Sequence, residues 1–481
     1  MEGKSTFMNI NKRLFITTLI IISFVIIFTS VLMPPSRANA KNTQSREEII
    51  INELLARDSE IIKKEPAAFV EKLNKIGASV FSFYRGTAAL FYRDMFEPAM
   101  NLSSGDKGFT MPEFEKCHIN GDLHIANFGF SIDSEGRIQF DANDFDESYI
   151  SSYSLDLKRL LISILLMAKE EGIKDGQNLA DAFLNGFIEK IKDFKNGENA
   201  GEYIVTAQNS KGYVSNTIES LKGKDRPNFL KKFTQMKRGN RFLENDELRR
   251  LPAETAAKIK DLFTAQYAAG VIKKSSRKYE DGFFKILDVC EKLRSGTGSL
   301  GLKRYYILIG GDSPEGYEKN LIIEMKQQRD SVVSAYAPKQ GDPAFTTNAG
   351  RVLAGTYLMC SNVSAFIGTI EDGKDSYLLR EISPQKYSPR FNKMGPSGLE
   401  NLCETSGKIY AKMLIKCINQ NSSLKAAKFL LKIKNNGGTD SFKQHFKDIA
   451  VKYALIVEND FNLYSKNKAA LIKRFEAGAA R

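Results

Sequence analysis

"HINGDLHIANFGFSIDSEGRIQFDANDFDESYISSYSLD", residues 118–156, gathers six Asp and two of the chain's three His in a protein of formal net charge +13. Asp122 is followed five residues later by Asn127. At that spacing a single tight loop can present a carboxylate that orients an attacking hydroxyl and an amide oxygen that holds magnesium. Seventeen residues beyond Asn127, after the strand-like "RIQFD", comes "NDFDES". Asp144 and Phe145 therefore fall where a metal-binding D-F-x turn would sit. Phosphoryl transfer needs mainly positioning and charge neutralisation, and magnesium prefers oxygen ligands. The stretch reads as a magnesium and phosphate site of kinase type. A calcium loop fits less well, since "DANDFDES" lacks a Gly at position six and a Glu at position twelve.

Further along, "GTGSLG", residues 296–301, fits G-x-G-x-x-G and opens a strand rather than a helix, which favours a kinase loop over a dinucleotide-binding one. Gly296, Gly298, Ser299 and Gly301 are its candidate nucleotide contacts, because amides freed by glycine can close over phosphates. Lys326, on the partner strand "LIIEMKQQ", stands where a kinase's phosphate-gripping lysine would, with Arg304 as its rival. This loop follows the loop of Asp122 by about 170 residues, whereas ordinary kinases have it first; either the fold is circularly permuted or the match is accidental. Arg85 in "FYRG" is a further candidate for the cleft, suited to bidentate phosphate or carboxylate contact or to a structural ion pair.

"GDLHIANFGF" resembles the H-G-D-x-H-x-x-N loop of aminoglycoside and choline phosphotransferases, and "NDFDES" followed by "LDLKRL" resembles their I-D-F/W-x-x-A and D-L-A helix start. From about residue 80 to 465 the chain is similar to the family called domain of unknown function 2252, through "FYRGTAALFYRDM", "GDLHIANFG", "FDANDFDES", "LDLKRLLIS", "GTGSLGLKRYYIL", "YLLREI" and "FKDIAVKYALIVENDF". The resemblance implies Asp122 as catalytic base or substrate-orienting acid, His124 as a brace of its loop, Asn127 as a magnesium ligand and Asp144 as the main one. Asp141 and Asp146 are alternates for the metal. Asn120 precedes Gly121 where the phosphotransferases have His.

The remaining chain sets the frame. With 42% hydrophobic and 26% charged residues, a globular core is expected. The basic excess is spread along the chain, and no nucleic acid is expected as a partner. "LFITTLIIISFVIIFTSVLM", residues 14–33, follows Lys12 and Arg13 and is long enough to span a bilayer; Ala38 and Ala40 make a signal-peptidase pattern. Residues 1–40 are expected to be a signal peptide or an anchor that places the protein across or in a bacterial-type inner membrane. Five scattered Cys give no disulfide framework or metal site.

Residues 41–290 are expected to be a mostly helical region carrying the catalytic and metal loops, with 177–293 almost wholly helical. Residues 291–395 read as a β-rich nucleotide-clasping lobe and 396–481 as C-terminal helices. The expected fold is α+β, a two-lobed, circularly permuted protein-kinase-like fold with additional helices. The expected activity is phosphoryl transfer from ATP, with magnesium, to a small-molecule or protein hydroxyl. A non-catalytic pseudokinase-type binder and a nucleotidyl transferase are the alternatives.

Overall fold

The computed structural model describes residues 44–235, 240–293, 300–312, 317–338, 345–418 and 421–479. The N-terminal apolar segment, and Gly296, Gly298 and Ser299 of the glycine loop, lie outside these ranges. Among the described residues no helix is long and apolar enough to cross a membrane. The chain divides into two units, Met1–Ala56 and Arg57–Arg481. In the first, Ser45 and Glu48 form a reciprocal capping box at the start of the helix Arg46–Arg57, with Ser45 N donating to Glu48 Oε2 at 2.8 Å and Glu48 N to Ser45 Oγ at 3.2 Å.

In the second unit, four short strands frame the acidic stretch: β1 (Cys117–Ile119), β2 (Phe128–Ile132), β3 (Ile138–Ala142) and β4 (Tyr149–Ser151). β1 pairs with β4 and β2 with β3, both antiparallel. The chain then enters the helix Tyr153–Glu170, buried over most of its length, and Gly172 stands just past its end, where the sequence places a stop.

The larger sheet is antiparallel and has six strands: β5 (Leu248–Arg250), β6 (Ile286–Lys292), β7 (Arg304–Ile309), β8 (Leu321–Gln328), β9 (Gly368–Asp372) and β10 (Asp375–Glu381), in the order β5-β6-β7-β8-β10-β9. The expectation of an almost wholly helical 177–293 is corrected here. "ILDVCEK" is drawn into the sheet by pairing with β7, a gain that local propensity does not register. Two hairpins lie in the region read as β-rich: β7 pairs with β8 and β9 with β10. Together with the helices this makes an α+β fold.

Side chains alternate across a strand, so each face of the sheet has its own duty. Tyr305, Ile307, Ile309, Leu321, Ile323, Met325 and Leu379 pack against Phe263, Tyr267 and Val271 of the helical segment 253–274. The opposite parity on the same strands puts Arg304, Glu324, Lys326 and Arg380 on the other face, with Arg304 registered against Lys326 and Glu324 against Arg380. This polar quartet faces the site.

Elsewhere the helices Gly176–Lys195 and Pro396–Lys416 cross at two glycines. A Cβ on Gly186 would lie 2.2 Å from the Glu404 carbonyl oxygen, and one on Gly407 would lie 2.1 Å from that of Phe183. Such backbone contact lets Phe187 reach Tyr410, ring centroids 5.4 Å apart, in an aromatic core that continues through Phe429 and Phe442. Gly407→Ala gains about 1 kcal/mol of helix propensity, but the obstructing atom is a backbone oxygen that cannot rotate away. The substitution is expected to lower stability by about 1–3 kcal/mol, read as a lower midpoint in urea denaturation; a raised midpoint would show that the helices do not need this approach.

Candidate active site

The loop "NGDLHIAN" is held by a helix start. Asp156, in the first turn of Tyr153–Glu170, is buried, and its carboxylate accepts the backbone N–H groups of Asn120 at 2.6 Å and Gly121 at 3.0 Å. Burial nevertheless pushes its pKa up to about 7, against the pull of those two amides. Gly121 has φ +81°, and a Cβ there would lie 1.8 Å from the Glu147 carbonyl oxygen. Only glycine fits between the loop and the turn that follows Asp144. Asp156 thus braces the loop from the start of the helix.

The brace brings three candidates together. Asn127 donates through Nδ2 to the Asp122 carbonyl at 2.8 Å, and its own backbone carbonyl accepts from Asn143 N at 3.0 Å. Asn120 Nδ2 donates to the Asp144 carbonyl at 2.5 Å. One side chain therefore ties the loop of Asp122 to that of Asp144, 24 residues on. Among the described residues no hydrogen bond reaches Asn127 Oδ1 and no ion pair reaches the Asp144 carboxylate, which accepts from the Asp146 amide at 3.4 Å. Both oxygens are open to a ligand.

The electrostatics separate these acids. Burial and the neighbouring Asp146 push Asp144 above the usual carboxylate range. Asp146 is also desolvated, but the Lys326 ammonium on β8, in a direct ion pair with it, holds it below that range. Asp122 is raised to about 6, since burial and the charges of Glu147 and Asp144 outweigh a 2.6 Å ion pair with Arg159 Nε. Asp141, an alternate for the metal, is engaged: Lys412 Nζ lies 2.5 Å from Oδ2 and its own chain's Ala142 amide bonds Oδ1. His124 is buried, and its Nδ1 has no partner. Burial, with Arg85 and Arg159 nearby, keeps it neutral. What braces the loop is its backbone carbonyl, which accepts from Asn127 N at 2.8 Å.

From the sheet, Arg304 Nη1 and Arg380 Nε reach Glu324 at 3.0 and 3.2 Å, and Arg380 Nη1 donates to the Asn143 carbonyl at 3.1 Å. Glu324 is desolvated, yet these guanidiniums hold it well below the carboxylate range. Arg304 is thereby committed to Glu324 rather than to the acidic loop, and Lys326 is the residue that reaches that loop. Of the glycine loop, Gly301 lies just before β7 with φ +76°. Lys386, beyond β10, makes no ion pair among the described residues and shares a cavity with Asp146, Asn143 and Arg380. The Arg380 charge, with partial desolvation, presses its pKa down to about 8.

Four of these residues were not singled out from the sequence. Arg159 lies one helical turn after Asp156, on the same face, which is its signal. Glu324 in "LIIEM" and Arg380 in "YLLRE" are charges inside apolar strands, a pattern that demands a buried partner. Lys386 carries no such signal. Among the described residues no group of three or more His, Cys, Asp or Glu could by itself hold a metal ion.

Because Asp156 is the acceptor for two buried amides, Asp156→Ala is expected to cost about 3 kcal/mol and to expose the 120–127 amides to hydrogen exchange. Unchanged stability and unchanged protection would show that the loop is held by other contacts.

A sequence profile described as "Uncharacterized protein conserved in bacteria (DUF2252)" matches residues 64–467. No curated protein matches the chain, and no solved structure does. The match covers most of the sequence and agrees with the resemblance carried by its motifs: the chain belongs to the DUF2252 family.

Proposed function

We propose that this protein is a kinase-like phosphotransferase, with a circularly permuted, two-lobed arrangement, that uses ATP and magnesium on a small-molecule or protein hydroxyl. The observation that carries the reading is the meeting of Asp122, Asn127 and Asp144 with a lysine from the sheet, brought together from positions 122 to 326. Strand order adds support. The glycine-bearing connection lies between β6 and β7, and Lys326 is on the next strand, β8, the relation between glycine loop and lysine found in protein kinases. The helix Asn348–Met359, which follows β8, carries no acidic residue. The glutamate that would pair with the lysine in a kinase is replaced here by Asp146.

The chemistry follows from the donors present. Asn127 Oδ1 and the Asp144 carboxylate suit magnesium, which bound there would neutralise charge on the transferred phosphoryl group. Burial and the Asp146 charge raise Asp144's proton affinity, and a divalent cation bound there would offset both. Asp122 orients the acceptor hydroxyl and takes its proton as the new O–P bond forms. Arg159 holds that carboxylate in place. Lys326, Arg380 and Lys386 supply positive charge on the sheet side for the donor phosphates. The segment 14–33, outside the described residues, would place this activity across or in the inner membrane.

A second reading, a non-catalytic nucleotide-binding protein, is favoured by one observation: Lys326 is already occupied by Asp146. The two readings separate by experiment. Mg-ATP is expected to raise the melting temperature, and Asp144→Ala to abolish the rise; no shift with any nucleotide would overturn both. Asp122→Asn should keep the shift and lower transfer of labelled phosphate by about 10²–10⁴-fold; a variant that leaves turnover unchanged would favour the binder.

For pH, Asp122 must be ionised to accept the proton, and its pKa is about 6. The rate, kcat/KM, is therefore expected to rise as pH increases through about 6 and then level off. A limb centred near 4 would remove Asp122 from the role of base.

A further inference from the structure

Arg85 has no role in the transfer step above. It sits in the last turn of the helix Val80–Gly86, exposed, its guanidinium carbon 5.6 Å from the Phe81 ring centroid. Among the described residues it makes no hydrogen bond and no ion pair. Its place is nonetheless fixed. The carbonyl of the preceding residue, Tyr84, accepts from Arg159 Nη2 at 3.2 Å, and the Tyr84 hydroxyl donates to the Arg159 carbonyl at 3.1 Å. Arg159 in turn grips Asp122. The charges acting on Arg85 are, in order, Asp122, Asp144, Glu170 and Arg159. The sheet cations Lys326, Arg304 and Arg380 cluster instead about Asp146 and Glu324.

A second orphan lies within its electrostatic reach. His124 is 4% exposed, its Nδ1 meets no partner among the described residues, and Arg85 and Arg159 are the charges that act on it and keep it neutral. A buried polar nitrogen without a partner costs free energy, and an unpaired guanidinium suits a bidentate oxyanion. The Asp122 carboxylate already has its cation in Arg159, and among the described residues no carboxylate forms an ion pair with Arg85, which leaves its guanidinium open to an added oxyanion.

We infer that Arg85 and His124 form an oxyanion subsite beside Asp122, and that the acceptor is a hydroxyl compound carrying a phosphate or carboxylate group. This rests on the phosphotransferase reading for the word acceptor; the anion site itself does not. Bound there, the anion holds the molecule by its charged end, and its hydroxyl is presented to Asp122.

The test titrates the full-length protein, without nucleotide, with inorganic phosphate and with malonate by calorimetry. The wild type is expected to bind at least one of them. Arg85→Gln is expected to weaken that binding at least tenfold and Arg85→Lys less. Arg85 makes no ion pair, so both of its variants should fold, which an unchanged melting temperature verifies. Tighter binding of phosphate points to a phosphorylated acceptor, and tighter binding of malonate to a carboxylate. Absence of binding to the wild type, or full affinity in Arg85→Gln, would overturn the subsite. Neither probe is a nucleotide, so a failure here is distinct from a missing Mg-ATP shift.

Discussion

The site depends on one buried carboxylate. Asp156 holds the amides of Asn120 and Gly121 from the first turn of a helix that is itself almost wholly interior. Everything downstream inherits that placement: the Gly121 backbone, with φ +81°, turns the chain so that Asp122 faces Arg159, and the Asn120 side chain can cross to Asp144. The brace costs something in its own right, since burial keeps the carboxyl's proton affinity high despite two N–H donors. A helix-start anion interacting favourably with the macrodipole offsets part of that cost.

Around this anchor the charges are arranged in pairs that keep one carboxylate apart. Asp122 has Arg159, Asp141 has Lys412, Asp146 has Lys326, and Glu324 has two arginines. Asp144 has none. In a low-dielectric interior each pairing returns part of the desolvation penalty, which an acid without an ion pair bears in full. The exception is therefore informative. Its neighbour Asn127 likewise keeps an amide oxygen free, so the two unused oxygen ligands belong to the two loops that Asn120 ties together.

Much of the site was legible because its residues are close in sequence. Asp122, Asn127, Asp144 and Asp156 lie within one stretch, and turn geometry plus short strands keep such neighbours together. The hairpins β7-β8 and β9-β10 were legible for the same reason. The strand β6 was not, because "ILDVCEK" gains its conformation from pairing with β7 across the glycine-rich connection. Arg304 reads as an alternative to Lys326 by position, yet register sets it opposite Lys326 and within reach of Glu324, which claims it.

By itself, then, the sequence determined the acidic loop, the brace, the hairpins and the family, all of which rest on local spacing and periodicity. The tertiary structure decided which acid meets which base. Lys326 with Asp146, Lys412 with Asp141 and Arg159 with Asp122 join residues 180, 271 and 37 positions apart. No periodicity encodes such pairs, because they are selected by the desolvation cost of leaving any one of those charges alone in the packed interior.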